Sequence, residues 1–467
     1  MKRFWISVAV FVAVALGGWA FVANFDALFS PDEKVKKSKR TAQKSSSKKG
    51  GHGVKIGTGD RTKSGAARAP SSGTAETGAG GGGGQAEPLS PGAGIDFEIG
   101  EIVVADPPPG FAAAAALLNF ATLDTANLGA LGMIVLRMQV PPGQSVPAAL
   151  ATVAGQFPGI AADANHLYEL AQNQSASAAK PDKRPLYPTP EERGQSWALW
   201  AAEWKNSSAI CGAGARLGMI DTSVDTRHPA LRGQKVTFRS FHNPKRKQGP
   251  SGHGTAIAAM MVGKLGRGWG GLLPGAQLLA ANIFERMPNG RLRGNVFAML
   301  RGVDWLVGEK VQIINLSIAG KKNKIVQKAV RRASLKKVIL IAAAGNWGRR
   351  DRPAYPAAYG SVIAVTAVDS NFRIYRMANM GAYVDFAMPG VEAWTAAPGG
   401  GGRYQSGTSF AAPFISALAG YEIAKDKKSV NSQTLKKRLA ERARDLGQPG
   451  KDDVFGWGFV ERGPECT

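Results

Sequence analysis

Five short, almost continuously apolar runs recur in the second half of this 467-residue chain, with helical segments between them. The runs are 217–220, 277–281, 311–318, 338–344 and 362–368, and the helical segments are 255–262, 295–307, 325–334 and 409–424. Strands that are apolar on both faces and alternate with helices are typical of a parallel sheet that is covered on both sides. The sequence therefore predicts a three-layer α/β fold, in which functional side chains gather at the carboxyl edge of the sheet.

Three segments bring an acid, an imidazole and a hydroxyl to this edge. Asp221 ends the first run, His253 stands between two glycines, and Ser409 opens an apolar helix in the segment Gly-Thr-Ser-Phe-Ala-Ala-Pro. A serine hydroxyl becomes a good nucleophile when a base takes its proton, and an imidazole suits that task near neutral pH. A carboxylate then orients the imidazole. Because Asp–His–Ser is one of the chain orders in which hydrolytic triads occur, we predict a triad of these three residues.

Other residues near these segments could fill the same roles. Asp225, four residues after Asp221, is the rival carboxylate and is predicted to be structural. Thr408 can cap the helix, which leaves Ser409 for chemistry. The remaining histidines are not expected to be catalytic. His52 lies in the segment predicted to be disordered and His242 in a loop, whereas His166 and His228 are predicted to be structural.

Stabilisation of a developing oxyanion needs two hydrogen-bond donors. Ser409 lies near the start of a helix, where the backbone N–H has no partner within the helix. The second donor is predicted to be the side-chain amide of Asn346, which follows the apolar run 338–344 in the segment Ala-Ala-Ala-Gly-Asn-Trp-Gly.

Together these segments, between about residues 210 and 461, resemble the subtilisin-like (S8, subtilase) serine proteases. The resemblance implies a subtilisin-like catalytic domain over 195–467 that hydrolyses polypeptide substrates through an acyl-enzyme. It also implies that the segment 315–320 pairs with the substrate backbone and, with 343–345, walls the primary specificity pocket. The substrate-binding residues would be Ser317, Ile318, Ala319, Gly320, Ala343, Ala344 and Gly345. Their small apolar side chains favour a large apolar or aromatic residue before the cleaved bond.

A different class of function stays open: a catalytically silent subtilase fold that acts as an envelope binding module. The presence of all four catalytic residue types favours the exported endopeptidase. The sequence contains no calcium-loop signature, and the glycine-rich stretch 263–268 lacks the spacing of a phosphate loop. Neither a metal nor a cofactor is predicted.

Residues 96–171 form a second predicted unit. Strands at 101–104, 131–140 and 161–170 alternate with helices at 111–120 and 146–157, which indicates a small α/β sandwich of ferredoxin-like type. This unit resembles, more weakly, the propeptide that chaperones and inhibits subtilases. Because that propeptide ends in the active site, Tyr168 is the candidate position for autoprocessing. The polar, proline-bearing segment 172–194 is predicted to be a linker.

The net charge of +25 is not spread evenly along the chain. Twelve Lys and Arg residues lie between Lys34 and Arg68, with only Asp60 opposing them. The segment 30–95, which continues into a glycine-rich stretch, is predicted to be a disordered tether. Its basic residues are either simply solvated or attracted to an anionic membrane or nucleic acid. It contains no interleaved aromatics, so specific nucleic-acid binding is disfavoured. A further hypothesis makes this tether, rather than proteolysis, the functional element.

The first residues favour export. Lys2 and Arg3 precede an apolar run at 4–23, so residues 1–29 are predicted to be a signal peptide or a membrane anchor. The expected location is the periplasm, the cell envelope or the medium. Cys211 and Cys466 are the two cysteines; in a reducing cytosol they would be free thiols, whereas export favours a disulfide between them.

Overall fold

The computed structural model describes residues 96–171, 197–204, 208–265, 271–426 and 430–466. The predictions for 1–29, 30–95 and the linker 172–194 lie outside these described residues. In the part of the chain that is described, no helix combines the length and apolar character needed to cross a bilayer.

The strands and helices are numbered in chain order. The strands are β1 (Phe97–Ala105), β2 (Ala121–Leu128), β3 (Met133–Gln139), β4 (Ala161–Leu170), β5 (Arg216–Asp221), β6 (Val236–Ser240), β7 (Gln277–Asn282), β8 (Phe284–Arg286), β9 (Leu292–Asn295), β10 (Ile313–Leu316), β11 (Ile318–Ala319), β12 (Ile339–Ala343), β13 (Val362–Val368), β14 (Phe386–Pro389), β15 (Ala393–Ala396), β16 (Gly402–Gln405), β17 (Ala443–Arg444) and β18 (Phe459–Val460). The helices are α1 (Phe111–Leu117), α2 (Val146–Gln156), α3 (Trp197–Ala201), α4 (Gly252–Val262), α5 (Val296–Gly308), α6 (Lys324–Leu335), α7 (Thr408–Lys425) and α8 (Ser432–Ala440).

The larger sheet has nine strands in the order β17-β18-β14-β13-β12-β10-β5-β7-β6. All neighbours are parallel except β17 and β18. Alternate side chains of its central strands belong to different cores: Met219 packs with helices α4 and α7, whereas the next residue, Ile220, packs with α5 and α6. The prediction of a parallel sheet between two helical layers is confirmed, because strands buried on both faces must be apolar throughout.

Residues 96–171 fold in the order β1-α1-β2-β3-α2-β4. Their strands form an antiparallel sheet in the order β2-β3-β1-β4. Ile102 and Val104 face the two helices, and Val103 on the opposite face packs in the same core as α5 and α6. Strand β2 was not among the sequence predictions, because most of its residues are polar or exposed.

Strand β4 extends beyond its own sheet. Leu167 and Tyr168 pair with Asn295 and Gly294 of β9, and the last two residues of β4 pair with β11. All these pairings are antiparallel. The end of β4 therefore lies as a middle strand between two strands of the second half of the chain.

A disulfide joins Cys211 to Cys466, whose Cα atoms are 5.5 Å apart. It connects the turn before β5 to the end of the described chain, as the cysteine hypothesis predicted.

Candidate active site

Asp221 and His253 meet at the carboxyl edge of the large sheet. Asp221 is the last residue of β5, and His253 is the second residue of α4. Their Oδ1 and Nδ1 atoms are joined by a hydrogen bond of 2.7 Å, and both side chains are buried. The N–H of Thr222 donates to the same carboxylate oxygen over 2.6 Å. The carboxylate is thus placed to orient the imidazole.

Gly254 explains how helix α4 can come so close to the end of β5. A Cβ atom at this position would lie 2.5 Å from the carbonyl oxygen of Ser223 and 2.6 Å from that of Thr222. The N–H of Gly254 also donates to Thr222 Oγ1 over 2.8 Å. A larger residue would push the helix, and with it His253, away from Asp221.

Ser409 lies one residue inside helix α7, and its polar atoms converge on one carbonyl group. Its N–H donates to the carbonyl oxygen of Ala171 over 3.2 Å, and its hydroxyl donates to the same oxygen over 2.7 Å. The side-chain N–H of Asn346 is a third donor to that oxygen. This carbonyl therefore lies where the sequence predicted an oxyanion to be stabilised.

The amide of Asn346 is held in one orientation. Its Oδ1 accepts hydrogen bonds from the N–H of Thr408 at 3.1 Å and from the Thr408 hydroxyl at 3.0 Å, which directs Nδ2 to Ala171. The preceding Gly345 has a φ of 98°, and a Cβ there would lie 2.7 Å from Cβ of Ala354. Backbone conformation and space both require glycine at this turn.

His253 is near Ser409 but is not hydrogen-bonded to it. The ring of Phe410, the residue after Ser409, lies 5.4 Å from the imidazole ring, centroid to centroid. The imidazole Nε2 is buried and has no hydrogen-bond partner among the described residues. The hydroxyl of Ser409 donates instead to the carbonyl oxygen of Ala171, and the acid–imidazole pair lies beside the serine without a hydrogen bond to it.

The predicted edge segment does pair with an extended chain, namely the end of β4. The N–H of Ala171 donates to the carbonyl oxygen of Ser317 over 3.2 Å. Leu170 and Glu169 are in register with Ile318 and Ala319. Residues 317–320 thus lie along the backbone that leads to Ser409.

Tyr168 does not occupy the position that autoprocessing requires. Its ring is fully buried three residues before Ala171, and its hydroxyl donates to the carbonyl oxygen of Lys321 over 3.1 Å. Burial raises the pKa of this phenol well above its usual value. A Cβ on Gly320 would lie only 2.5 Å from the ring. The residue whose carbonyl faces Ser409 is Ala171, which directly follows β4 and lies three positions after Tyr168.

The methyl group of Ala171 packs in a small apolar cluster. Its partners are Ala319, Ala343 and Ala354, with Trp347 at the margin. Ala354 comes from a loop that the sequence interpretation did not consider, and it fills space that the predicted wall residues would leave open. Ala344 is also buried at this wall, and its carbonyl oxygen accepts a hydrogen bond from the hydroxyl of Tyr383 over 2.7 Å.

The residues that the sequence interpretation assigned to structure have other partners. The N–H of Asp225 donates to the hydroxyl of Thr255 over 2.8 Å. His228 Nδ1 accepts a hydrogen bond from the N–H of Ala230 over 3.1 Å. His166 is hydrogen-bonded to Asn323 over 2.9 Å, and His242 to Ser240 over 2.7 Å. Within the described part of the chain, no three His, Cys, Asp or Glu side chains are grouped as metal ligands.

Comparisons with known proteins identify the family of the chain. The model of the subtilase family matches residues 212–458. The minor extracellular protease Epr of Bacillus subtilis is 28% identical over 266 residues, which are 56% of this chain and 40% of Epr. Thermitase of Thermoactinomyces vulgaris is 31% identical over 240 residues, which are 50% of this chain and 84% of thermitase.

A solved structure extends the likeness of the fold. Fervidolysin from Fervidobacterium pennivorans, described as a keratinolytic enzyme related to subtilisin, superposes with a TM-score of 0.64 at 22% identity. The match covers 78% of this chain and 60% of fervidolysin. Since the family model covers more than half of the sequence, the chain belongs to the subtilase family of serine peptidases.

Proposed function

We propose that the protein is a serine endopeptidase in which Ser409 is the nucleophile, His253 the general base and acid, and Asp221 the residue that orients the imidazole. The observation that carries the proposal is the set of donors on one carbonyl oxygen. The N–H of Ser409, at 3.2 Å, and the amide of Asn346 both donate to the carbonyl of Ala171. That carbonyl is polarised, and the nucleophilic hydroxyl is already in contact with it.

The chemistry follows from this geometry. Oγ of Ser409 bonds to the carbonyl carbon while its proton passes to Nε2 of His253, and the oxygen becomes an oxyanion held by the two N–H donors. The imidazolium is stabilised by Asp221 and then gives its proton to the amine that leaves. Water, activated by the same imidazole, breaks the acyl-enzyme and restores the serine.

The first bond cut is proposed to be that between Ala171 and Gln172 of the chain itself. Residues 167–171 reach Ser409 as an extended strand with the backbone paired on both sides, which is the form in which a substrate would be held. The cleaved position then carries a small residue. The cluster of alanines around Ala171 supports a preference for small residues there in other substrates as well.

Residues 96–171 are proposed to be an intramolecular inhibitor and folding partner. Hydrogen bonds between this unit and the second half run in both directions. Asp163 of the unit accepts from the N–H of Lys324 at the start of α6 over 2.8 Å, and the N–H of Leu131 of the unit donates to Asp304 in α5 over 2.8 Å. Glu98 pairs with Arg246 at 2.6 Å. These contacts hold the unit in place after the bond is cut, so that its end continues to block Ser409.

Export is proposed from the basic and apolar N-terminus and is supported by the disulfide, since such bonds persist in oxidising compartments. The relative Epr is described as extracellular. The basic segment 30–95 is proposed to hold the enzyme near an anionic envelope surface.

Purified full-length protein tests the proposal. A fluorophosphonate probe is expected to label the wild type and not Ser409→Ala, and N-terminal sequencing is expected to find a new terminus at Gln172 in the wild type alone. Ser406→Ala is the matched control, because it removes a hydroxyl three residues before Ser409 that accepts a hydrogen bond from the N–H of Glu392 and lies outside the proposed triad. A wild type that is neither labelled nor cut would support the silent fold.

A further inference from the structure

The carboxylate of Glu169 contacts two side chains from separate parts of the second half of the chain. One oxygen lies 3.0 Å from a guanidinium nitrogen of Arg293 in β9. The other accepts a hydrogen bond from the indole N–H of Trp347, in the loop after β12. Neither residue belongs to the triad or to the wall of the pocket around Ala171 that the sequence predicted.

Both partners are fixed independently of Glu169. The Arg293 side chain is only 16% exposed, and its second terminal nitrogen donates to the carbonyl oxygen of Leu292 over 3.1 Å. The backbone N–H of Trp347 donates to Asn379 over 2.9 Å, and the guanidinium of Arg352 lies 4.1 Å from the indole ring. A carboxylate that enters this site therefore meets donors that are already ordered, which lowers the entropic cost of binding.

The electrostatic setting also favours an anion. Burial lowers the pKa of Arg293, and the nearby Arg291 acts in the same direction, while Glu169 opposes both effects. The arginine is thus a partly desolvated cation whose charge is compensated mainly by the glutamate. With a neutral residue in place of Glu169, that charge loses its principal partner.

The register shows which substrate residue would occupy this site. Glu169 is opposite Ala319 and lies two residues before Ala171. Counting back from the bond after Ala171, it is the third residue. Successive side chains of a strand point to opposite faces, so the side chain of Glu169 lies on the face opposite that of Tyr168 and on the same face as that of Ala171. Trp347 borders both, since it packs at the margin of the Ala171 cluster and donates to Glu169.

We propose that Arg293 and Trp347 form a subsite that selects an acidic residue at the third position before the cleaved bond. The inference rests on the proposed peptidase function, since it assigns the selectivity of that same site. It implies that the enzyme cuts segments of the type aromatic–acidic–apolar–small, of which Tyr168 to Ala171 is the example within the chain.

Four-residue p-nitroanilides test the subsite on the mature enzyme. The peptides are Tyr-Xaa-Leu-Ala, with Glu, Gln or Lys at Xaa, and the measurement is kcat/KM. A charge-assisted hydrogen bond in a partly exposed site predicts about a tenfold advantage of Glu over Gln, with Lys poorer still. The advantage is expected to shrink at high salt. Equal rates for Glu and Gln would overturn the inference.

Charge reversal separates selection from a merely structural role. Arg293→Glu is expected to invert the order of kcat/KM among the three peptides, so that the Lys peptide is preferred to the Glu peptide. Arg291→Glu introduces the same charge on the same hairpin and serves as the control, which is expected to keep the order of the wild type. Trp347→Phe, which removes the N–H donor and keeps an aromatic ring, is expected to reduce the preference by about half. If Arg293→Glu fails to fold, the kcat/KM values of the wild-type enzyme for the three peptides are sufficient to test the acidic subsite.

The two proposals fail in different ways. If none of the three peptides is hydrolysed by a Ser409-dependent activity, the proposed function is wrong. If all three are hydrolysed equally well by that activity, only the acidic subsite is wrong.

Discussion

The backbone N–H of Ser409 donates a hydrogen bond to the carbonyl oxygen of Ala171 over 3.2 Å, across 238 positions of the sequence. The hydroxyl of the same serine lies 2.7 Å from that oxygen. For a bond to form, the hydroxyl has to turn from the oxygen to the carbonyl carbon and release its proton to His253, whose Nε2 has no other hydrogen-bond partner among the described residues. The structure therefore resembles an enzyme that holds its first substrate.

Removal of the Asn346 amide should slow the chemical step. For Asn346→Leu we expect kcat on a peptide substrate to fall by ~10²–10³, a magnitude taken from subtilisin, with little change in KM. Thr408→Val removes one of the two donors that orient the amide, and a loss of about tenfold is expected, whereas Thr408→Ser should stay near the wild type. A rise in KM at constant kcat would contradict the assigned role.

The pocket around Ala171 should prefer small residues. We expect the enzyme to hydrolyse peptides that end in Ala faster than those that end in Phe, because Ala354 occupies the pocket. Ala354→Gly should raise the ratio of kcat/KM for Phe to that for Ala by about tenfold or more. Preference of the unmodified enzyme for Phe would instead restore the sequence-based expectation of a large apolar or aromatic residue.

Gly320 should control which residues fit at the position of Tyr168. A methyl group on Gly320 would lie 2.5 Å from the ring. For Gly320→Ala we expect kcat/KM for a peptide with Tyr at the fourth position to fall by about tenfold or more, since overpacking is costly. The matched peptide with Ala at that position should be hydrolysed as well as before. An equal loss for both peptides would indicate damage to the backbone instead.

Arg246 should matter more to stability than its partner Glu98. Arg246 donates to Glu98 over 2.6 and 3.0 Å and to Glu285 over 2.5 Å, and the hydrogen bond with Glu98 is the main reason that the pKa of this arginine is raised. In the Ser409→Ala background, Arg246→Met leaves two buried carboxylates without a cation. We expect it to lower the free energy of unfolding by about 3 kcal/mol.

Two comparisons in the same urea titration check this explanation. Glu98→Gln keeps an acceptor and should cost about 1 kcal/mol. Lys245→Met, at the exposed neighbouring position, should change the free energy of unfolding by less than about 0.5 kcal/mol. Equal effects of Arg246→Met and Lys245→Met would contradict the role of the buried pair.

The disulfide should stabilise the fold. Cys211→Ser/Cys466→Ser is expected to lower the free energy of unfolding by about 2–4 kcal/mol. Addition of a reductant should lower the melting temperature of the wild type and leave that of the double variant unchanged. Two titratable thiols in the unfolded, unreduced wild type would show that the bond does not form.

The central strands could be predicted because their surroundings leave little choice of residue. Both faces of β12 and β13 are buried, so their sequences are continuously apolar, and the predicted 362–368 coincides with β13. Edge and half-exposed strands escaped detection. Strands β2 and β6 carry polar residues on an exposed face, which makes their patterns similar to those of loops.

The residues of the candidate site also divide into those that a local sequence pattern predicts and those that it does not. The pairing of Asp221 with His253, and the convergence of Ser409 and Asn346 on one carbonyl group, could be predicted because each of these residues stands in a distinctive local segment. Arg293 and Ala354 could not, because the short strand β9 and the loop that holds Ala354 carry no local sequence pattern that places them at the site. The displacement from Tyr168 to Ala171 has a further cause: the register of β4 is set by pairing with β9 and β11, which are remote in sequence.

The position of residues 167–171 between β9 and β11 bears on which proteins can be attacked. A substrate segment that replaces this stretch must have five residues in extended conformation, with their backbone N–H and C=O groups unpaired. Neither an intact helix nor a central strand of a folded barrel meets that requirement. Under the proposed function we therefore expect a compact protein to be cut only where a surface loop, a frayed terminus or a damaged region can extend. The choice of target would then depend first on how readily a polypeptide unfolds locally.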